Sequence, residues 1–277
     1  PLSSRSLSEC LRRGSEMFGW SSRTPEPGSM RASDGTLIGF GVGCGCYKAA
    51  TAAAVATLRL NADGTARVSV GVHEMGQGIR TAIANVLSEK LRIEPHSIEA
   101  VIGETTGAPQ HITAGSWGTA TAIPAVVEAA DKLISELGHD PLAALSERKL
   151  DYYEVEIERR APGQPEEAAQ ALKAGKPAPF GPIYGKFVSY SYVAHFAEVR
   201  IERSTRRIRV PRMVSVVDCS RVVSPRTARS QVRGGVVWGI GAALREETEV
   251  DPRYGGFLNS DIAEYVVPVN ADIGRTE

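Results

Sequence analysis

Gly71-Val72-His73-Glu74-Met75-Gly76-Gln77-Gly78-Ile79-Arg80-Thr81 lies between an alternating run at 66–70 and a segment with apolar residues at Ile79, Ile83, Val86, Leu87 and Leu91. The first period is that of a strand and the second that of a helix, so the glycines mark a tight strand-to-helix turn. Such a turn offers backbone N–H groups and the positive end of the helix dipole to an anion. Gly76 and Gly78 let the backbone approach a phosphate, and Gln77 adds an amide with both donor and acceptor. The segment lacks the Lys-Ser/Thr of a P-loop and the third glycine of the dinucleotide fingerprint. On these residues alone, anion binding and a structural turn both stand.

Upstream, runs at 56–60 and 66–70 flank Asn61-Ala62-Asp63-Gly64, a strong hairpin signal. Residues 6–18 read as a helix with Ser6 as its cap, followed by a Pro/Ser-rich linker at 21–29. The run 37–42 reads as a strand, and glycines at 39, 41, 43 and 45 imply a backbone packed close against something. Downstream come a short strand at 97–102 and a second small-residue turn, Thr113-Ala114-Gly115-Ser116-Trp117-Gly118-Thr119-Ala120-Thr121. A long helix over 120–137 follows, for which Ser116 or Thr119 is the expected cap. A short helix is expected at 141–148. Residues 151–185 show only a helix near 165–173 and a Pro-rich loop at 176–182. The pattern then turns to β at 188–193, 197–201 and 208–218, with a turn at 204–206. Pro225 opens a helix through Gln231, Gly234, Gly235, Trp238, Gly239 and Gly241 to about Glu247. Each glycine costs such a helix about 1 kcal/mol relative to Ala, so several together imply close packing on a ligand or another backbone. The layout is α+β: an entry helix and linker (1–32), a first lobe (33–150), a connecting segment (151–184) and a second lobe (185–277).

The composition narrows the function without naming it. Lys plus Arg and Asp plus Glu balance at 32 each among 277 residues, which gives a nucleic acid no electrostatic footprint. No apolar run reaches the roughly 18 residues of a membrane span. The opening Pro1-Leu2-Ser3-Ser4-Arg5 and the polar end at Glu277 read as those of a fragment. Cys44 and Cys46 form a C-x-C with neither zinc nor iron–sulfur spacing. With Cys10 and Cys219 they read as small buried hydrophobes in a reducing compartment. The expectation is a cytoplasmic protein, with the periplasm as the alternative. Histidines at 73, 96, 111, 139 and 195 show no i, i+4 pair, so no directly protein-ligated metal is expected. Ser116 lacks the elbow spacing of an acyl-transfer nucleophile.

Together the glycine-rich pieces are more specific than any one of them. Gly71-x-x-Glu74-Met75-Gly76-Gln77-Gly78-x-x-Thr81 and the turn at 113–121 are followed in order by Phe196-Ala197-Glu198-Val199, Val217-Asp218 and Gln231-Val232-Arg233-Gly234-Gly235. Gly239-Ile240-Gly241, Glu246-Glu247, Asn259, Tyr265 and Pro268 complete the series. This series resembles the molybdopterin-binding subunit of molybdenum hydroxylases, the xanthine dehydrogenase and aldehyde oxidase family. The amino end, with Gly14-Ser15-Glu16-Met17-Phe18-Gly19-Trp20, is similar to its bacterial aldehyde oxidoreductase branch. The likeness covers nearly the whole chain and is weakest over 140–185.

The resemblance implies a two-lobed α+β molybdopterin-binding domain, incomplete at both ends. It implies a molybdenum pyranopterin, often as the cytosine dinucleotide in bacteria, with no side chain on the metal. Gly76, Gln77 and Gly78 would meet the pterin or its phosphate, Gly115 and Ser116 the surroundings of the metal's oxygen and sulfur ligands, and Gln231 the pterin. The family oxidises aldehydes or N-heterocycles with water as the oxygen source, and passes electrons through iron–sulfur clusters to FAD on partner subunits. Its general-base glutamate follows Gly-x-Gly beyond position 277, so no catalytic residue is assigned here; Glu277 follows Arg275-Thr276. Ser220 and Ser224 stand where the family tends to have Gly and Asn. Two alternatives remain: a cofactor-binding or subunit-docking remnant without the general base, and a phosphate-anchored nucleotide module. For the latter, no suitable lysine or acidic ribose contact is found.

Overall fold

The computed structural model describes residues 2, 4–161, 163–176, 180–181 and 188–277. In chain order its elements begin with α1 (Leu7–Phe18), β1 (Leu37–Lys48), β2 (Thr51–Ala52), β3 (Ala54–Asn61), β4 (Ala66–Val70), α2 (Ile79–Leu91), β5 (Ile98–Val101) and α3 (Gly118–Leu137). They continue with α4 (Pro141–Arg148), β6 (Tyr152–Arg159), α5 (Ala168–Lys173), β7 (Phe180–Gly181), β8 (Tyr190–Ile201), β9 (Ile208–Asp218), α6 (Pro225–Leu244) and β10 (Ile273–Thr276). Helices beside mixed sheets make this an α+β fold. It divides into two compact units, neither continuous in sequence.

The first unit takes in Lys48–Tyr190 and Arg221–Thr227. Its main sheet runs β5-β4-β3-β6. β3 and β4 form the antiparallel hairpin, in a register from Ala56 opposite Val70 to Leu60 opposite Ala66. β4 and β5 are parallel, which requires a crossover, and α2 supplies it. Ala54, Ala56, Leu58 and Leu60 are buried while Thr57 and Arg59 are only partly so. The buried face joins Ile79, Ile83, Leu87 and Leu91 of α2 and Ala122, Val126, Ala129 and Leu133 of α3 in one apolar cluster. β6 pairs along the whole of β3. From Tyr153 to Glu158 its residues alternate apolar and charged, the period of a strand, so this part of the segment expected as a connection at 151–184 is an edge strand of the sheet. Of the Pro-rich loop expected at 176–182, positions 177–179 and 182 lie outside the described residues, and Phe180–Gly181 pair with β2.

The second unit takes in Arg5–Tyr47, Ser191–Ser220 and Ala228–Glu277. Its sheet runs β1-β8-β9-β10, with β8 and β9 antiparallel and β9 and β10 parallel. The strands expected at 188–193 and 197–201 are one strand, β8, bulged between Glu198 and Arg200. α1 lays Cys10, Leu11 and Phe18 against Phe40, Phe196 and Val214. Gly14 is needed there, because a Cβ on it would fall 2.3 Å from the Phe196 ring. Ser6 occupies the cap position of α1 but its side chain makes no capping bond.

Several sequence expectations change in this unit. Among the described residues, nothing lies within 4 Å of where a Cβ would sit on Gly39, Gly41 or Gly43, so only Gly45, 3.1 Å from Val193 at that position, is closely packed as expected. Cys44, Cys46 and Cys219 are exposed, and only Cys10 is buried. Cys44 and Cys46 lie further along β1 than Phe40, the residue of this strand that packs against the apolar cluster of α1 and β8. The units also cut across the linear lobes drawn at 33–150 and 185–277. Most of β1 goes with β8, and β6 goes with β3, because strand pairing outweighs proximity along the chain.

Candidate cofactor site

The turn between β4 and α2 is held by its own side chains. Glu74 Oε1 accepts from the N–H groups of Gly76 (2.9 Å) and Gly78 (3.0 Å), and Oε2 accepts from Arg80 (3.1 Å). Burial works to raise the Glu74 pKa, but the three backbone donors outweigh it and hold the carboxylate below its ordinary value. The N–H groups that the sequence offered to an external anion therefore already face an internal one. Gln77 braces the same turn: its Oε1 accepts from Met75 N at 2.6 Å, and its Nε2 donates to His73 O at 2.6 Å. One Nε2 hydrogen and one Oε1 lone pair remain for anything else. Gly76 sits at φ +96° and, among the described residues, nothing lies within 4 Å of a Cβ position, so the crest of the turn is bare backbone.

The second turn is stitched to the first. His73 N–H donates to Thr113 Oγ1 at 3.1 Å, and His73 Nδ1 lies 2.7 Å from the same hydroxyl. Upstream of Thr113, Ala108 N–H donates to Ser69 Oγ of β4 at 2.7 Å. A Cβ on Gly71 would fall 2.1 Å from Pro109 O, so the end of β4 and this loop touch backbone to backbone. Gly115 (φ +56°) and Ser116 (φ +62°) are successive left-handed residues. Neither Ser116 nor Thr119 caps α3: Trp117 holds the cap position, without a side-chain cap bond. Ser116 is thereby left exposed. Thr121 is fully buried and its hydroxyl accepts from Ala52 N at 3.0 Å, a structural role.

Gln110 and His111, which the motif reading did not single out, carry buried polar atoms that have no partner among the described residues. These are Gln110 Oε1 and His111 Nε2. Among the described residues, no group of three or more His, Cys, Asp or Glu is placed to hold a metal ion.

Gln231 lies on α6 in the second unit and is exposed. Val236 and Ile240 bury the opposite side of α6 against Val210. Among the described residues, nothing lies within 4 Å of a Cβ position on Gly234, Gly235 or Gly239. Gly241 is packed, against Pro268 and the Glu246 carboxylate. α6 ends at Leu244, one turn earlier than its sequence suggested.

The family model of the molybdopterin cofactor-binding domain matches residues 13–274. The chain belongs to this family. It is 34% identical over 280 residues to the aldehyde oxidoreductase molybdenum-binding subunit PaoC of Escherichia coli K12, covering 99% of this chain and 38% of PaoC. It is 25% identical to the xanthine dehydrogenase molybdenum-binding subunit of Escherichia coli O157:H7, covering 99% of this chain and 39% of that subunit. Among solved structures it resembles CO dehydrogenase from Oligotropha carboxidovorans, with a TM-score of 0.75 at 18% identity. That match covers 99% of this chain and 38% of the other, and speaks for the fold. The chain thus spans about two fifths of the length of these relatives.

The residues present fit a molybdopterin. The bare backbone at Gly76, where no side chain intrudes, leaves room for a flat ring beside it. Gln77 keeps an unused donor and acceptor, the complement such a ring's edge requires.

Proposed function

We propose that this chain is the cofactor-holding part of a molybdenum-dependent hydroxylase subunit that oxidises an aldehyde or an N-heterocycle, with water as the oxygen source. The observation that carries the reading is the direct bond between the two glycine-rich turns, His73 to Thr113, within a chain of the molybdopterin-binding family. In this proposal Gly76, Gln77 and Gly78 border the pterin or its phosphate. Gly115 and Ser116 lie near the metal's oxygen and sulfur ligands, and Gln231 contacts the pterin. The bound cofactor supplies the redox chemistry, and the protein binds and orients it. Gln77 holds its position through bonds to His73 and Met75, so its free amide edge is preset before anything binds. The exposed Ser116 hydroxyl is available to donate or accept a proton in hydrogen bonds. No residue of this chain is assigned as general base.

Three further parts belong to the same proposal. The cofactor is in its cytosine dinucleotide form, the electrons pass to iron–sulfur and FAD-binding partner subunits, and the protein works in the cytoplasm. On the last point the structure adds only that no helix of the described residues is long and apolar enough to cross a membrane.

The test is the molybdenum and pterin content of the protein purified from a host that makes the cofactor. Gln77→Ala should lower molybdenum content several-fold while cofactor-free melting stays within a few degrees. Unchanged metal content would remove Gln77 from the contact set. A second reading, a subunit-docking segment that binds no pterin, is favoured by the exposure of Trp238 (79%), Tyr254 (83%) and Ile262 (84%). Wild-type protein free of both molybdenum and pterin would decide for it.

A further inference from the structure

Independently of the cofactor reading, we propose that the β8–β9 hairpin carries a site for the phosphate group of a small molecule, clasped by Arg200 and Arg209 with Arg203 beside them.

The hairpin concentrates a charge that the chain as a whole balances. From Glu198 to Arg212 stand six arginines, at 200, 203, 206, 207, 209 and 212, against two glutamates, at 198 and 202. Arg200 and Arg209 lie directly opposite each other across the antiparallel pair. Opposed side chains stand about 5 Å apart at Cβ, and like charges so placed destabilise a sheet. Arg200 finds relief in the buried Glu198, whose Oε1 accepts from its Nε at 2.8 Å. Arg209 finds none. It is half-buried, and its Nη1 makes only a long bond to Ala271 O at 3.4 Å. Among the described residues, no carboxylate lies within ion-pair distance of Arg209 or Arg203. A half-buried charge beside a like charge calls for a counter-ion, and here it has to come from outside the chain.

Arg200, Arg203 and Arg209 line one cavity of about 760 Å³. The stem of Arg203 lies over Gly35, its Cδ 3.8 Å from where a Cβ would sit, which holds that side chain at the rim. Asp34 and Glu202 line the same cavity, but both are engaged by their own turns. Asp34 Oδ1 accepts from Thr36 N–H at 2.9 Å, and Glu202 Oε2 from the Thr205 hydroxyl at 2.7 Å. The arrangement selects for charge. A carboxylate brings a single negative charge to two guanidinium groups, whereas a phosphate monoester brings about two, with three acceptor oxygens for their N–H forks. The cavity is larger than one phosphate, so room remains for the molecule that carries it.

The full chain is titrated by calorimetry with inorganic phosphate, glycerol phosphate and a hexaglutamate peptide. Wild type should bind the phosphates. Arg209→Gln and Arg203→Gln should each lower that affinity about tenfold, the loss of one charge-assisted hydrogen bond. Arg206→Gln, in the same hairpin but outside the cavity, should leave it unchanged. Tighter binding of glycerol phosphate assigns the site to a phosphate ester, and equal binding assigns it to free phosphate. Melting supplies a second readout. In phosphate-free buffer Arg209→Gln should melt no lower than wild type, because it removes the opposed charges, and saturating phosphate should place wild type above it. An equal loss in Arg206→Gln would reduce the site to a diffuse basic surface and overturn the inference. Binding of hexaglutamate alone overturns it in favour of an acidic protein partner, and binding of no probe overturns it outright. A lower melting point for Arg209→Gln without phosphate would give Arg209 a counter-ion within the chain, and would also sink it.

Discussion

Glu74 takes the place at the start of α2 that an external anion would otherwise fill. Its carboxylate closes the turn on the N–H groups of Gly76, Gly78 and Arg80, and this is why its pKa is lowered despite burial. The sign follows from linkage. A carboxylate whose folded pKa is depressed contributes stability that is present in full above its unfolded pKa of about 4.5, and that contribution fades as pH falls through the folded value. Glu74→Gln should therefore destabilise the protein by roughly 2 kcal/mol at neutral pH, the scale of hydrogen bonds to a charged group. The difference from wild type should shrink below the ordinary carboxylate range. Denaturation at pH 7 and in acid checks it, and a pH-independent difference would mean the charge is not what closes the turn. The motif showed that a glutamate precedes the glycines. It could not show the side chain folding back, because that depends on where α2 begins in space. The same limit hid the burial of His111 and of the Gln110 Oε1 atom, which comes from a loop packed on β4 rather than from any local pattern.

At the scale of elements, the seam between the end of β4 and the loop leading to α3 brings the two turns together. Gly71 has ordinary backbone angles but no room, with Pro109 O where a Cβ would sit. Gly71→Ala should cost roughly 1–3 kcal/mol by overpacking and should loosen the His73–Thr113 contact. Gly76→Ala meets no neighbour and carries only the strain of a positive φ, about 1–2 kcal/mol. Parallel unfolding curves, with exchange of the His73 amide, separate the two. Equal exchange in Gly71→Ala and wild type would show that the seam is not rigid. Periodicity disclosed the β3–β4 hairpin and α2 because each is amphipathic over its whole length. β6 also alternates, but its glutamates made it look like a solvated connection. β1 runs six residues past its expected end, because its pairing with β8 is set by a partner far away in sequence.

At the scale of the molecule, the units differ in how much core they own. The first unit gathers strands β3, β4 and β5 and helices α2 and α3 round one large apolar cluster, with a small one at Ala53, Ala168 and Leu172 beside it, whereas the clusters of the second are both small. Native-state hydrogen exchange should be slowest in β3 and β4 and markedly faster in α6, whose glycines bring no side chains to pack. Comparable protection in α6 would show that its open face is covered in solution. The sequence by itself determined the α+β class, the family and the order of its glycine-rich turns, because short-range periodicity and spacing carry those. Only the tertiary structure decided that Glu74 is the anion of the first turn, that Thr113 ties the second turn to the first, and that the chain divides into interleaved units. Each of these depends on pairing and burial between segments distant along the chain, which no local pattern of residues records.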